Sequence, residues 1–228
     1  MYIQVLRLVV GSVSLTWQGS LFDTEGEREL SYDGLVRHQL DDRTWLDEVS
    51  AWAPNHAGLF DMLLTEAPWK QRERMMYDRM VLEPRMVARW DDTSSGGLPE
   101  PLEAMRVALS DRYRVEFDSV GVNLYRDGAD GVAWHGDSNR KTLHDPLVAT
   151  VSLGERRRFL MRPGTAGGPT HRFRPGGGDL LVMGGACQHL WQHQVPKEPR
   201  GAGARMSVTL RHSREGWWAS PDGKGLVT

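Results

Sequence analysis

Between Phe117 and His212 the chain breaks into short segments in which apolar residues recur at about every second position, each fenced by glycine, proline or aspartate. No other feature restricts the fold as much, because a strand with one apolar side must bury that side against another layer. The predicted strands are Phe117–Tyr125, Gly131–His135, Leu147–Leu153, Arg158–Arg162, Asp179–Met183, His189–Val195 and Arg205–His212, with RDGADG, PGTAGGP and RPGGGD among the turns. Six or seven short strands at this spacing predict a sandwich or jelly roll with helices packed on one face, an α+β class.

The first half reads as mainly helical. Asn55 is a plausible N-cap for a helix over His56–Glu66, with Leu59, Phe60, Leu63 and Leu64 at helical spacing and Pro68 to end it. A second helix is predicted over Glu100–Asp111, Met80–Trp90 reads as extended, and DDTSSGG within Asp91–Pro99 is a surface loop. At the N-terminus Gln4, Arg7 and Ser12 dilute the apolar run, so it reads as folded strand and not as a secretory leader. One domain is expected, in four parts: an unassigned N-terminal segment 1–50, helices and a recognition segment 51–114, the jelly-roll core 115–214 and a tail 215–228. A monomer is expected.

Charge bears on function only when divided along the chain. The totals are 28 Lys plus Arg against 30 Asp plus Glu, a net of −2, which argues against a general polyanion binder. Residues 1–60 hold nine acids and four bases, so the remainder is basic. Two clusters stand out: Arg72, Arg74, Arg79, Arg85 and Arg89, and then Arg156, Arg157, Arg158, Arg162, Arg172 and Arg174. Solvation of exposed strands accounts for any one of these arginines; their clustering keeps phosphate binding in view. A single cysteine, Cys187, cannot form an internal disulfide, which favours a reducing cytoplasm and a packing role for the thiol. No stretch approaches the ~18 consecutive apolar residues of a membrane span, so no membrane association is expected.

Trp134-His135-Gly136-Asp137 closes a predicted strand with a His-x-Asp pair, whose side chains at i and i+2 share a face. The commoner origin of such a pair is a buried histidine bonded to a nearby acid. His193 follows in a strand-like segment after GGDLLVMGG, and two imidazoles with one carboxylate form the facial set that suits non-haem Fe(II), with three positions left open. Downstream, Arg205 and Arg211 in RMSVTLR fall on the strand face shared with Ser207 and Thr209. Two inward cations are costly without an anion to neutralise them, and a dicarboxylate would serve both. A zinc hydrolase gives those arginines no task.

The run NLYRDG, WHGDSNR, ATVSLG, RRRFLMR, GGDLLVMGG, WQHQVP and RMSVTLR, from Val122 to Arg211, resembles the catalytic core of the AlkB family of Fe(II)- and 2-oxoglutarate-dependent dioxygenases. The resemblance implies a double-stranded β-helix with an N-terminal nucleotide-recognition lid. It implies that His135, Asp137 and His193 ligate iron, and that Arg205, beside Ser207 and assisted by Tyr125, pairs with the far carboxylate of 2-oxoglutarate. Asn123 and Arg211 would lie nearer its chelating end, where Arg211 also steadies Asp137. The implied chemistry consumes Fe(II)-bound 2-oxoglutarate and O2, and hydroxylation of an N-methyl group ends in loss of formaldehyde.

On this resemblance the substrate is alkylated DNA or RNA of the 1-methyladenine or 3-methylcytosine type, read as a base flipped from its stack. Trp90 is expected to sandwich the base against His135, and Tyr77, Arg85, Arg158 and Arg162 to make further substrate contacts. Trp90 as a core aromatic is the equal alternative. A protein or small-molecule substrate, or a catalytically silent nucleic-acid binder, are the other functions this sequence admits. His189 is expected to be a hydrogen-bonding or surface residue, His144, His171 and His212 to face solvent, and Trp217-Trp218 has no assigned role.

Overall fold

Polar and apolar residues alternate along the central strands, and that alternation divides the molecule into layers. The computed structural model describes residues 5–10, 13–18, 29–76, 79–90, 97–137, 143–165, 168–199 and 202–214. In chain order the elements are β1 (Val5–Val10), β2 (Val13–Gln18), β3 (Val36–Asp41), β4 (Thr44–Val49), α1 (His56–Glu66), β5 (Lys70–Met76), β6 (Arg79–Trp90), α2 (Glu100–Tyr113), β7 (Ser119–Tyr125), β8 (Val132–His135), β9 (Val148–Gly154), β10 (Phe159–Pro163), β11 (His171–Phe173), β12 (Leu180–Gly185), α3 (Cys187–Leu190), β13 (Trp191–Val195) and β14 (Arg205–Arg211). An eight-stranded sheet runs β3-β4-β12-β9-β14-β7-β6-β5, a four-stranded sheet runs β11-β10-β13-β8, and β1 with β2 forms a separate hairpin. The pairings are antiparallel, and the two sheets make the jelly roll expected from the strand spacing.

On β14, Met206, Val208 and Leu210 join Val120, Val122 and Leu124 of β7 and Ala149, Val151 and Leu153 of β9 in one buried cluster. That face receives α1 through Leu59, Phe60, Leu63 and Leu64, and α2 through Leu102, Met105 and Leu109. The opposite parity, Arg205, Ser207, Thr209 and Arg211 with Asn123 and Tyr125, looks toward the smaller sheet and lines a cavity. A smaller apolar cluster, including Phe159, Met161, Leu181, Met183 and Trp191, closes the rest of that space. The inner faces of a sandwich are ordinarily apolar, so a polar row between two sheets marks the site.

The helix boundaries follow their sequence signals. Asn55 takes a left-handed conformation (φ 48°) and its side chain accepts from Gly58 N, while α2 runs two residues beyond the predicted end and stops at Arg114 with φ 59°. The expectation of a mainly helical first half is corrected: β3, β4, β5 and β6 form both edges of the large sheet. The predicted strand His189–Val195 begins at Trp191, because Cys187–Leu190 forms a helical turn, and β11 is an additional strand. His144 is exposed and paired with Asp145, as expected, but His171 is half-buried with its ring tilted at 57° to that of Trp191, and His212 is buried instead of facing solvent. Tyr77, Trp217 and Trp218 lie outside the described residues.

Candidate active site

β8 and β13 are register partners at His135 and His193, and this brings the two imidazoles to a centroid separation of 4.2 Å. His135 Nδ1 lies 2.8 Å from Ala133 O. A carbonyl only accepts, so Nδ1 carries the proton and Nε2 keeps its lone pair for a metal. Burial, reinforced by His135, pushes the pKa of His193 down to about 3 and holds that ring neutral, as a metal ligand must be.

Asp137 stands just past the end of β8. Its backbone N–H donates to Gln188 Oε1 at 3.3 Å, and Arg211 Nε lies 3.5 Å from its Oδ2. Among the described residues no three His, Cys, Asp or Glu side chains already close on one point. His135, Asp137 and His193 nevertheless line the same cavity, and the donor types are those of an Fe(II) facial set, which a bound ion would have to gather.

Arg205 tests the fit of the cosubstrate. It is 1% exposed, its Nη2 donates to Ser152 Oγ at 2.8 Å, and Nε and Nη1 have no hydrogen-bond partner. Burial lowers its pKa, which the neighbouring Tyr125 opposes. A buried guanidinium with two unmet donors, its carbon 5.2 Å from the Tyr125 ring centroid, fits a carboxylate. Beside it Asn123 Nδ2 reaches Ser207 Oγ at 3.4 Å, and Asn123 Oδ1 accepts from Arg85 Nε at 3.2 Å. The cavity thus has histidines and an aspartate on one side and an anion-seeking arginine on another.

The residues assigned to substrate separate. Arg85 lines the cavity, together with Arg72 and Arg89, which the sequence had placed in a cluster without a site role. Trp90 is corrected: it shares the parity of Met86 and Ala88, packs against the helix-side core, and lines a different cavity with Leu98, Phe117 and Val120. It is not in position to sandwich a base against His135. Arg158 is engaged by Glu198 and Lys197 O, and Arg162 lies over the Trp134 ring at 4.2 Å and bonds Gln192; neither lines the cavity. The 156–174 cluster is therefore largely committed within the protein, since Arg156 also bonds Arg174 O and Arg157 is fully buried. His189 bonds Leu143 O, and Cys187 is a buried free thiol whose pKa burial raises.

Residues 44–211 match the model of the 2OG-Fe(II) oxygenase superfamily. The chain belongs to that superfamily, a class of oxygenases named for Fe(II) and 2-oxoglutarate. Relatives that it matches are of the AlkB type. It is 32% identical over 171 residues to the Alpha-ketoglutarate-dependent dioxygenase alkB homolog 3 of Homo sapiens, and 27% identical over 194 residues to the DNA oxidative demethylase ALKBH2 of Arabidopsis thaliana. Each match covers 67% of this chain, which spans 60% of the length of either relative. In fold, the chain resembles OsALKBH1 (TM-score 0.54, 15% identity, 78% of this chain and 100% of that one). It also resembles a 2OG-Fe(II) oxygenase family oxidoreductase from Burkholderia pseudomallei (TM-score 0.52, 15% identity, 75% and 87%).

Proposed function

We propose that this chain is an oxidative demethylase of alkylated nucleic-acid bases, of the 1-methyladenine or 3-methylcytosine type. The observation that carries the reading is one polar cavity holding both the His135/Asp137/His193 donors and the unsatisfied Arg205, with Arg72, Arg85 and Arg89 also on its wall. The similarity to alkB homolog 3 and to ALKBH2 supports the same choice of substrate.

His135, Asp137 and His193 would hold iron. Arg205 and Tyr125 would receive the far carboxylate of 2-oxoglutarate, while Asn123, Ser207 and Arg211 would order the rest of it. When bound, these groups and O2 supply the oxidant that hydroxylates an N-methyl carbon. The balance is one O2, one 2-oxoglutarate and one N-methyl base giving succinate, CO2, formaldehyde and the unmethylated base. Arg211 would orient Asp137, and the guanidinium groups of Arg72, Arg85 and Arg89 would meet the phosphates flanking a flipped base. A lone, buried cysteine supports a reducing, cytoplasmic setting, and we take the active unit to be a monomer. Among the described residues no helix is long and apolar enough to cross a membrane.

The test is a panel of methylated DNA and RNA oligonucleotides incubated with Fe(II), ascorbate and 2-oxoglutarate. Formaldehyde and succinate in equal amounts, lost in His135→Ala, are expected. Turnover of none of them by protein that still binds 2-oxoglutarate would transfer the dioxygenase to another substrate class.

A further inference from the structure

Arg157 belongs to a run of three arginines that reads as a phosphate-facing surface, yet it is 0% exposed. Its Nη1 donates to Asp127 O at 2.8 Å, and its Nη2 donates to Asp130 O at 2.9 Å and Pro196 O at 3.0 Å. Asp127 and Asp130 belong to the turn that leaves β7 directly after Tyr125, and Pro196 is the residue that follows β13, the strand of His193. One guanidinium therefore staples the exits of the two strands that carry the cosubstrate tyrosine and a metal-site histidine. It also lies 5.9 Å from the Tyr125 ring, which Arg205 approaches at 5.2 Å.

The charge is less completely satisfied than the hydrogen bonds. Carbonyl oxygens meet Nη1 and Nη2 while Nε has no hydrogen-bond partner, and carbonyls do not neutralise a cation, which is costly to bury unless neutralised. The acid near Arg157 is Glu198, 3.9 Å from Nε, and the same carboxylate oxygen accepts from both the backbone N and Nε of Arg158. Two buried guanidinium groups thus border one tyrosine ring, and among the described residues the carboxylate that comes within 4.0 Å of Arg157, that of Glu198, is shared with Arg158.

We infer that Arg157 is a positioning residue for the cosubstrate: it holds Tyr125 in place and supplies a second positive charge behind it, raising the affinity for the far carboxylate of a 2-oxo dicarboxylate. The inference rests on Arg205 as the partner of that carboxylate and is independent of the final substrate.

The test is anaerobic calorimetric titration of the Fe(II)-loaded protein with 2-oxoglutarate and, separately, with 2-oxovalerate, which lacks the far carboxylate. Arg157→Met should weaken 2-oxoglutarate about tenfold or more, and Arg157→Lys, which keeps the charge, by about threefold. Glu198→Gln, which removes the shared carboxylate charge, should tighten it about twofold. Binding of 2-oxovalerate should change less than about twofold in all three. General damage to the fold would weaken both acids in parallel, so a parallel loss overturns the inference, as does unchanged 2-oxoglutarate binding. If Arg157→Met does not fold, the opposite shifts in Arg157→Lys and Glu198→Gln decide the matter, and their absence overturns it. Wild-type protein that fails to bind 2-oxoglutarate would instead overturn the reading of Arg205, and this inference with it.

Discussion

An arginine buried to 1% exposure with two guanidinium nitrogens unmet costs the folded chain free energy that a bound anion returns. Lysine keeps the charge of Arg205 but not its planar fork, so Arg205→Lys should weaken 2-oxoglutarate by about 10–100-fold, the equivalent of about 1.5–3 kcal/mol for lost charge-assisted bonds. Titration of the ferrous protein measures it directly. Trp90 supplies the opposite case. Met86, Ala88 and Trp90 form the apolar parity of β6, and Arg85, Val87 and Arg89 form the cavity parity. Trp90→Phe should therefore lower the melting temperature while leaving the KM for a methylated oligonucleotide within about twofold, since an aromatic packed on the core contributes area and not recognition. A tenfold rise in KM at unchanged stability would return Trp90 to the base pocket. That His135 shares a face with Asp137, and Arg205 with Arg211, was legible from spacing, whereas His193 and the roles proposed for all five rest on the AlkB resemblance, and the fold brings all five to one cavity. Trp90 suits base stacking chemically, but the parity of RMVARW puts it with Met86 and Ala88 on the apolar face, which is the core alternative that the sequence admits.

At the scale of elements, α1, α2 and the strands from β7 onward other than β11 were legible, because each has a turn or cap residue at its border and a single period between, although the helical turn α3 delays β13 to Trp191. β3 and β5 were not. VRHQLD and KQRERMM have too few apolar residues to reveal a period, for both are edge strands whose outer backbone groups meet no partner strand among the described residues. What binds the N-terminal part of the chain to the core is β4 against β12, with Trp45 opposite Gly184. A Cβ built on Gly184 would stand 2.1 Å from the Trp45 ring, so the glycine in MGG is required by the indole and not by a turn. Gly184→Ala should destabilise the protein by about 1–3 kcal/mol, as overpacking in a filled space does, read as a lower urea midpoint at constant m. Trp45→Leu in the same chain should recover part of the loss, because it removes the ring that the methyl group meets. Recovery is the sharper measurement, since any core defect lowers the midpoint while only this contact predicts the rescue.

Across the whole molecule, a net charge of −2 conceals a direction. The eight-stranded sheet begins with β3 and β4, whose hairpin carries Asp41, Asp42, Asp47 and Glu48 against Arg37 and Arg43. It ends with β6 and β5, which together carry Lys70, Arg72, Arg74, Arg79, Arg85 and Arg89 against Glu73 and Glu83. At roughly 4.8 Å per strand the two ends are separated by about 30 Å, several Debye lengths in physiological salt, so a phosphate chain near the basic end is little affected by the acidic one. The second basic cluster adds little to this, because Arg156, Arg157, Arg158 and Arg162 are occupied by partners within the protein. The charge that a nucleic-acid substrate would meet, on the proposed function, is therefore that of β5 and β6, and each phosphate neutralised on a single strand contributes about −0.7 to the slope of log K against log salt. Arg72→Ala with Arg89→Ala should make that slope shallower by about 1.4, whereas Arg158→Ala with Arg162→Ala should leave it unchanged within about 0.3. Fluorescence anisotropy of a labelled single-stranded oligonucleotide across a salt series measures both. Equal changes in the two double variants would mean that the strand runs across the small sheet as well as the rim of the cavity, and that the Glu198 pair of Arg158 and the Gln192 bonds of Arg162 open on binding.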